Sequence, residues 1–287
     1  MKTSNLKKAF LLAATLIGLS QQNASAQHLE FGLMGGAMFY EGDLSHTLSG
    51  TLVETHPSFG ILAKYNMNDY IAIQGHFLYG EISGNDKHAA EDAFKERNLS
   101  FRSDIYELGA QAEFNILGYQ PYALSKPFSP YVFLGVSGFK FNPKTLDQGD
   151  WVALQPLGTE GQGIPGRKAS YNTIGFAIPF GVGVKYALND LWNIGVEVSF
   201  RKTFTDYLDD VSGDYISRAE LAANNGALSA ELGNKIDAKT GYRRGNPNNQ
   251  DWYNFVGVTL TYNLLDNGLV GARNRGRRRA GCKQARM

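Results

Sequence analysis

Cysteine is nearly absent: the 287-residue chain has one, Cys282. This excludes an internal disulfide framework and a multi-cysteine zinc or iron–sulfur site. Charge is sparse, at 19% Asp, Glu, Lys and Arg, and almost balanced, with 28 basic and 27 acidic residues. Beyond the first 26 residues, no run approaches the roughly 20 apolar residues of a spanning helix. Histidine occurs only at positions 28, 46, 56, 76 and 88, without the spacing of a ligand set. Glycine, at 33 residues, and aromatic side chains, at 12%, are abundant. Both run high for an ordinary soluble domain.

The charge is unevenly placed. Residues 1–26 carry three Lys and no acid, residues 27–266 carry 18 basic against 27 acidic residues, and residues 267–287 carry seven basic residues and no acid. A nucleic-acid partner needs a basic folded domain, and this one is acidic. At the N-terminus, Lys2, Lys7 and Lys8 precede an apolar run from Ala9 to Leu19 and an Ala24-Ser25-Ala26 cleavage motif. That order predicts an exported chain with a signal peptide over 1–26 and a mature start at Gln27.

Alternation with a period of two dominates the rest. Trp192, Ile194, Val196, Val198 and Phe200 alternate with Asn193, Gly195, Glu197, Ser199 and Arg201. Residues 106–116, 174–188 and 252–264 follow the same rule, with Asn254 a polar lapse on the apolar side. Segments 28–40, 57–66, 70–82 and 128–142 follow it less cleanly, making eight strands. Their connections alternate between short (66–69, 189–190, and a medium one at 117–127) and long (41–56, 83–100, 143–171 and 207–250). Short turns on one side and long loops on the other predict an all-β, eight-stranded antiparallel transmembrane barrel over 27–266, with short periplasmic turns and long extracellular loops. A secreted soluble β-sandwich is the competing arrangement.

The polar face carries Lys64, Glu107, Glu113, Lys185, Glu197 and Arg201, mixed in sign and interleaved with glycine. Opposed charges beside small residues suit a narrow, side-chain-filled lumen. Aromatics near the strand ends (Phe39/Tyr40, Tyr65/Tyr70, Tyr119/Tyr122, Tyr186/Trp192, Phe204/Tyr207, Trp252/Tyr253) suggest two interfacial girdles.

Function is then expected on loops, turns or termini. His56-Pro57-Ser58 resembles the His-x-Ser pair of outer-membrane lipid A deacylases. Here Pro57 breaks the strand geometry and no acidic orienting group sits at a matching offset, so the segment reads as a loop-to-strand junction and the chain as non-enzymatic. Asp206, Asp209, Asp210 and Asp214 crowd the start of the last long loop. Such carboxylates can hold Ca²⁺, but their spacing is not that of an EF-hand and solvated loop charge is expected. No cofactor or small-molecule substrate is expected. Arg273, Arg275, Arg277, Arg278, Arg279, Lys283 and Arg286 form a basic periplasmic tail over 267–287, either solvated or a docking segment for an acidic surface.

Three segments carry a resemblance: Tyr40-Glu41-Gly42-Asp43-Leu44, then Thr205-Asp206-Tyr207-Leu208-Asp209-Asp210-Val211-Ser212, then Trp252-Tyr253-Asn254-Phe255 to Tyr262 with its basic tail and lone cysteine. Together they resemble the PorG-like small outer-membrane barrels of Bacteroidota, which include a type IX secretion component. The resemblance implies a non-enzymatic barrel in the outer-membrane bilayer, docked to periplasmic ring lipoproteins. A free-standing surface barrel whose loops bind an external ligand or mediate adhesion stays open beside it.

Overall fold

A computed structural model describes residues 28–121 and 125–264. The strands are β1 (His28–Glu41), β2 (Thr55–Asn66), β3 (Ile71–Asn85), β4 (Ser100–Asn115), β5 (Phe128–Lys140), β6 (Pro143–Asp147), β7 (Asp150–Ala153), β8 (Ile174–Ala187), β9 (Trp192–Thr203) and β10 (Trp252–Asn263). Eight of them, all but β6 and β7, pair antiparallel with their neighbours in chain order, and β10 returns to β1 from Glu30↔Asn263 to Glu41↔Trp252. The sheet therefore closes, and no barrel edge is left unpaired. The hairpin β6–β7 extends from β4 inside what the sequence presents as a plain loop. Strands β3 and β4 also run longer than their alternation suggests, shrinking the second long loop to 86–99.

The two faces follow the side-chain period. Leu108, Val136 and Phe176 point outward and are 70%, 68% and 73% exposed, as part of a continuous apolar surface around the barrel. An apolar surface of that extent needs lipid rather than water against it. Along β1 the outward residues from Leu29 to Phe39 span ten steps, about 33 Å of strand. A tilt of ~40° lowers this to about 25 Å, the height of an outer-membrane apolar belt. Above Tyr79 and Tyr106 the outward positions become Glu81, Arg102 and Asp104, with Lys144 alongside, linked by ion pairs that mark the extracellular limit. The protein is an outer-membrane β-barrel.

The short turns share one chemistry. Asn68 Oδ1 accepts from the N–H of Tyr70 and Ile71, and Asn189 Oδ1 accepts from the N–H of Leu191 and Trp192. Each side chain mimics a backbone turn. His28 and Leu264, the ends of the described barrel, lie on this periplasmic side. The expected signal peptide, Tyr122 and the basic tail lie outside the described residues.

The interior changes character along its axis. The periplasmic half is polar and charged. The extracellular half holds an apolar core of Met38, Leu78, Ile82, Ile105, Phe139 and Phe255, continued upward by loop residues Leu154, Leu208, Val211 and Leu232. Four short helices, α1 (Leu48–Val53), α2 (Asp92–Arg97), α3 (Arg218–Asn224) and α4 (Ala227–Gly233), give the long loops a folded cap. The girdle expectation needs correction at four residues: Tyr207 belongs to the loops over the mouth, half-buried against Tyr171, and three others turn inward. Tyr40, Tyr119 and Tyr253 turn into the barrel and are almost fully buried, because each hydroxyl finds a polar partner there. Asn254 is also buried, with its amide directed at Glu41.

Candidate functional site: the charged lumen and the carboxylate cap

Alternation places Lys64, Glu107, Glu113, Lys185, Glu197 and Arg201 in the lumen, all buried. Glu113 receives two cations, Lys64 Nζ at 2.9 Å and Lys185 Nζ at 2.7 Å. Glu107 binds Arg201 Nε at 2.9 Å, His76 Nε2 at 2.7 Å and the Tyr253 hydroxyl at 2.8 Å. Glu197 and Arg201, close on one strand, do not bond each other. Glu197 instead accepts from the Tyr131 hydroxyl at 3.1 Å. A buried charge is tolerable only when paired and hydrogen-bonded, and these contacts join strands β2, β3, β4, β5, β8, β9 and β10 across the bore. Gly183 makes room for this layer, since a Cβ there would run into the Tyr131 ring.

Tyr40, Gly42, Asp43, Asp206, Tyr207, Asp209 and Asp210, far apart in sequence, meet over the extracellular mouth. The Tyr40 hydroxyl lies 2.7 Å from Asp209 Oδ2 and 2.8 Å from Asp251 Oδ1. Gly42 packs against this junction, where a Cβ would collide with the phenol oxygen and the Asp251 carboxylate. Asp43 Oδ2 accepts from the Asn246 N–H at 2.7 Å, pinning the first loop to the last. Asp209 Oδ1 also accepts from Val211 N–H at 2.8 Å, and Asp251 Oδ2 from Leu208 N–H at 2.9 Å. Asp210, in the left-handed region at φ 65°, accepts from the Tyr171 hydroxyl at 2.7 Å and from Thr159. Tyr207 stacks on Tyr171 at 4.5 Å between ring centroids. Arg244 ties the group together, donating to Glu160 Oε1 at 2.9 Å and to the Asp210 carbonyl at 2.6 Å.

These aspartates are buried, not solvated. Asp206, Asp209, Asp210 and Asp251 are each no more than 9% exposed. Asp214 stands apart, in a backbone bridge to Arg243. Burial pushes Asp206 up to about 7, with Ser212 close by but short of hydrogen-bond geometry. It pushes Asp210 up to about 6 against the pull of Arg244, and raises Asp209 and Asp251 as well. Protein donors already occupy most of the carboxylate oxygens. Among the described residues no group of His, Cys, Asp and Glu is arranged to hold a metal ion. The cluster acts as an internal tie between loops. Asp251, Glu160, Arg244 and Tyr171 belong to it, and no sequence pattern marks them because each lies in a loop without periodicity.

On the outer wall, His56 is not the featureless junction its sequence suggests. A bulge between Thr55 and Ser58 re-aims it. Its ring meets Ser83 Oγ at 2.7 Å through Nε2 and Glu81 Oε1 at 3.2 Å through Nδ1. The acidic group that seemed missing beside His56 is therefore Glu81, on the neighbouring strand. Ser58 is buried with its hydroxyl unpartnered.

A family model described as a domain of unknown function (DUF6089) matches residues 7–225. No curated protein matches the chain. Among solved structures the chain is similar to Ail, the attachment invasion locus protein of Yersinia pestis, crystallised with the heparin analogue sucrose octasulfate. They share 11% identity over 83% of this chain and 97% of that one, with a TM-score of 0.38. Neisserial surface protein A is similar at 10% identity over 83% and 97%, TM-score 0.39. OprG from Pseudomonas aeruginosa is similar at 12% identity over 81% and 95%, TM-score 0.38.

Proposed function

The chain belongs to the family described as a domain of unknown function (DUF6089), and from that premise we propose that it is a docking component of a type IX protein secretion complex. The barrel anchors it in the outer membrane and its periplasmic end contacts ring lipoproteins. The observation that carries a docking role is the filled bore: the charged lumen below and the apolar core and carboxylate cap above occupy the path a solute would take. A barrel so filled works through its surfaces. The secretion partner follows from the sequence resemblance in the Tyr40–Leu44 and Thr205–Ser212 segments and from the basic stretch Arg273, Arg275, Arg277, Arg278, Arg279 and Lys283. Docking on an acidic surface through exposed charges weakens with salt, as screening acts over about 8 Å at physiological ionic strength.

Co-purification from detergent-solubilised outer membrane tests this. Deleting 267–287 should leave the barrel folded, reduce capture of periplasmic ring lipoproteins and lower secretion of type IX cargo. A silent tail deletion, combined with loss of function on altering the cap, favours the free-standing surface barrel. The exposed apolar side chains of α1, Leu48, Leu52 and Val53, at 79%, 68% and 67%, give that second reading a surface to work with.

A further inference from the structure

We propose that the barrel wall between β4 and β9 holds one phosphate-bearing, acylated lipid of the outer leaflet, with an acyl chain in a recess floored by Gly138 and the phosphate held by Lys140 and Lys202. The site faces lipid near the extracellular rim and is independent of docking through the periplasmic end.

The wall is not smooth here. Leu108, Val136, Phe176, Ile178 and Phe204 surround Gly138 and shape a hollow of about 530 Å³. The hollow exists because β5 places no side chain at its centre. Alternation makes position 138 outward, between Val136 and Lys140, and a Cβ there would meet nothing nearer than 4.0 Å. The surrounding side chains are all apolar, and Leu108, Val136 and Phe176 are exposed to the lipid belt. In an outer-membrane barrel such a space takes acyl chain and not water.

Two cations flank the upper part of the hollow. Lys140 is the next outward residue after Gly138 on β5 and pairs with Tyr106 of the upper aromatic level. Lys202, on β9, is the cross-strand partner of Ile178 and of Trp252, and its ammonium lies 5.9 Å from the centre of the Trp252 ring. Both lysines therefore stand at the depth of interfacial aromatics, where lipid headgroups lie. Two strand spacings and four residue steps separate their backbones, about 16 Å. Their flexible four-carbon stems close part of that gap.

Charge selects the headgroup. The neighbouring outward charges cancel in pairs, Arg102 with Glu81 and Lys144 with Asp104. Glu41, on the far side of Trp252 from Lys202, faces the Asn254 amide. Among the described residues neither Lys140 nor Lys202 has a carboxylate partner. Phosphate oxygens accept charge-assisted hydrogen bonds from ammonium groups. A lipid without net negative charge fills the hollow and leaves both cations unneutralised, and free phosphate does the reverse. A phosphorylated lipid does both. The larger recess around Gly75, of about 690 Å³, has no such feature. The residues one outward step above it, Gly35, Phe59 and Tyr79, are uncharged.

The test titrates the full-length barrel in micelles with diphosphoryl lipid A and reads bound lipid by native mass spectrometry. Parallel arms use the same lipid stripped of phosphate, and inorganic phosphate alone. One lipid A per barrel is expected. Its Kd should rise about tenfold or more on removing the phosphates, in the joint variant Lys140→Gln with Lys202→Gln, and in Gly138→Leu, which fills the hollow. Gly75→Leu, in the larger recess, and Lys126→Gln, on the periplasmic side, should leave binding unchanged. Heat-modified gel mobility checks folding, and Ala110→Leu, which fills the hollow from β4, replaces Gly138→Leu if that variant does not fold. Unchanged affinity for the dephosphorylated lipid, in the double-lysine variant or in the filled hollow overturns the proposal. So does inorganic phosphate binding as tightly as lipid A, or loss of binding in Gly75→Leu.

Discussion

Tyr40 has one hydroxyl proton and two carboxyl neighbours, Asp209 at 2.7 Å and Asp251 at 2.8 Å. It can donate to one of them only, so the other contact draws its proton from the acid. Tyr40→Phe leaves two buried carboxyls without this partner and is expected to cost about 1–3 kcal/mol, read as earlier urea unfolding and faster proteolysis within 204–251. The protons held here also set a pH dependence. Asp206 near 7 and Asp210 near 6 lie above the ordinary aspartate value of 3.8. Between about pH 4 and 7 the folded cap therefore binds protons that the unfolded loop releases. Stability is lost as pH rises through that window and levels off above it. Proteolysis of the cap, corrected for protease activity, should be slower at pH 5 than at pH 8. The aspartates were visible in the sequence as a dense cluster. Their burial was not, because it depends on Tyr40, Tyr171 and Arg244, which come from three other places in the chain.

Alternation shows at the scale of the strand. Val196 faces out, 46% exposed, and Val196→Arg near the bilayer midplane should cost about 2–4 kcal/mol. Ser199, three residues on, faces in with a hydroxyl that has no partner. Ser199→Ala should cost much less, since no bond is lost. Lipid-refolding titrations of the two variants check the assignment of faces, and equal costs would contradict it. The alternation of 192–201 was readable because polar and apolar residues take opposite sides. On the extracellular half of β3, Leu78 and Ile82 turn inward while Phe77 and Tyr79 turn outward. There both faces are apolar, so the sequence pattern fades although the strand continues. The bulge that brings His56 to Ser83 and Glu81 is invisible for a related reason. It shifts register locally and leaves composition unchanged.

For the whole molecule, the filled bore predicts electrical silence. Purified barrel reconstituted in a planar bilayer should show no steady single-channel conductance. Opening events that follow the Tyr40→Phe substitution would trace the block to the cap. The overall architecture was legible in connection lengths: short turns and long loops alternate, and the barrel obeys that order. The β6–β7 hairpin and the four cap helices were not, because short elements inside long loops are fixed by packing over the mouth and not by local pattern.

The Tyr40–Asp251 contact spans 211 residues, joining the first strand of the barrel to the residue just before the last. Contacts of such separation form late, and this one requires β10 to be seated against β1. The cap is therefore a checkpoint written in folding order. A chain stalled before closure presents loose extracellular loops, whereas a completed one presents a compact surface. Resistance of the cap to added protease is therefore expected to appear only in barrels whose last strand is in place.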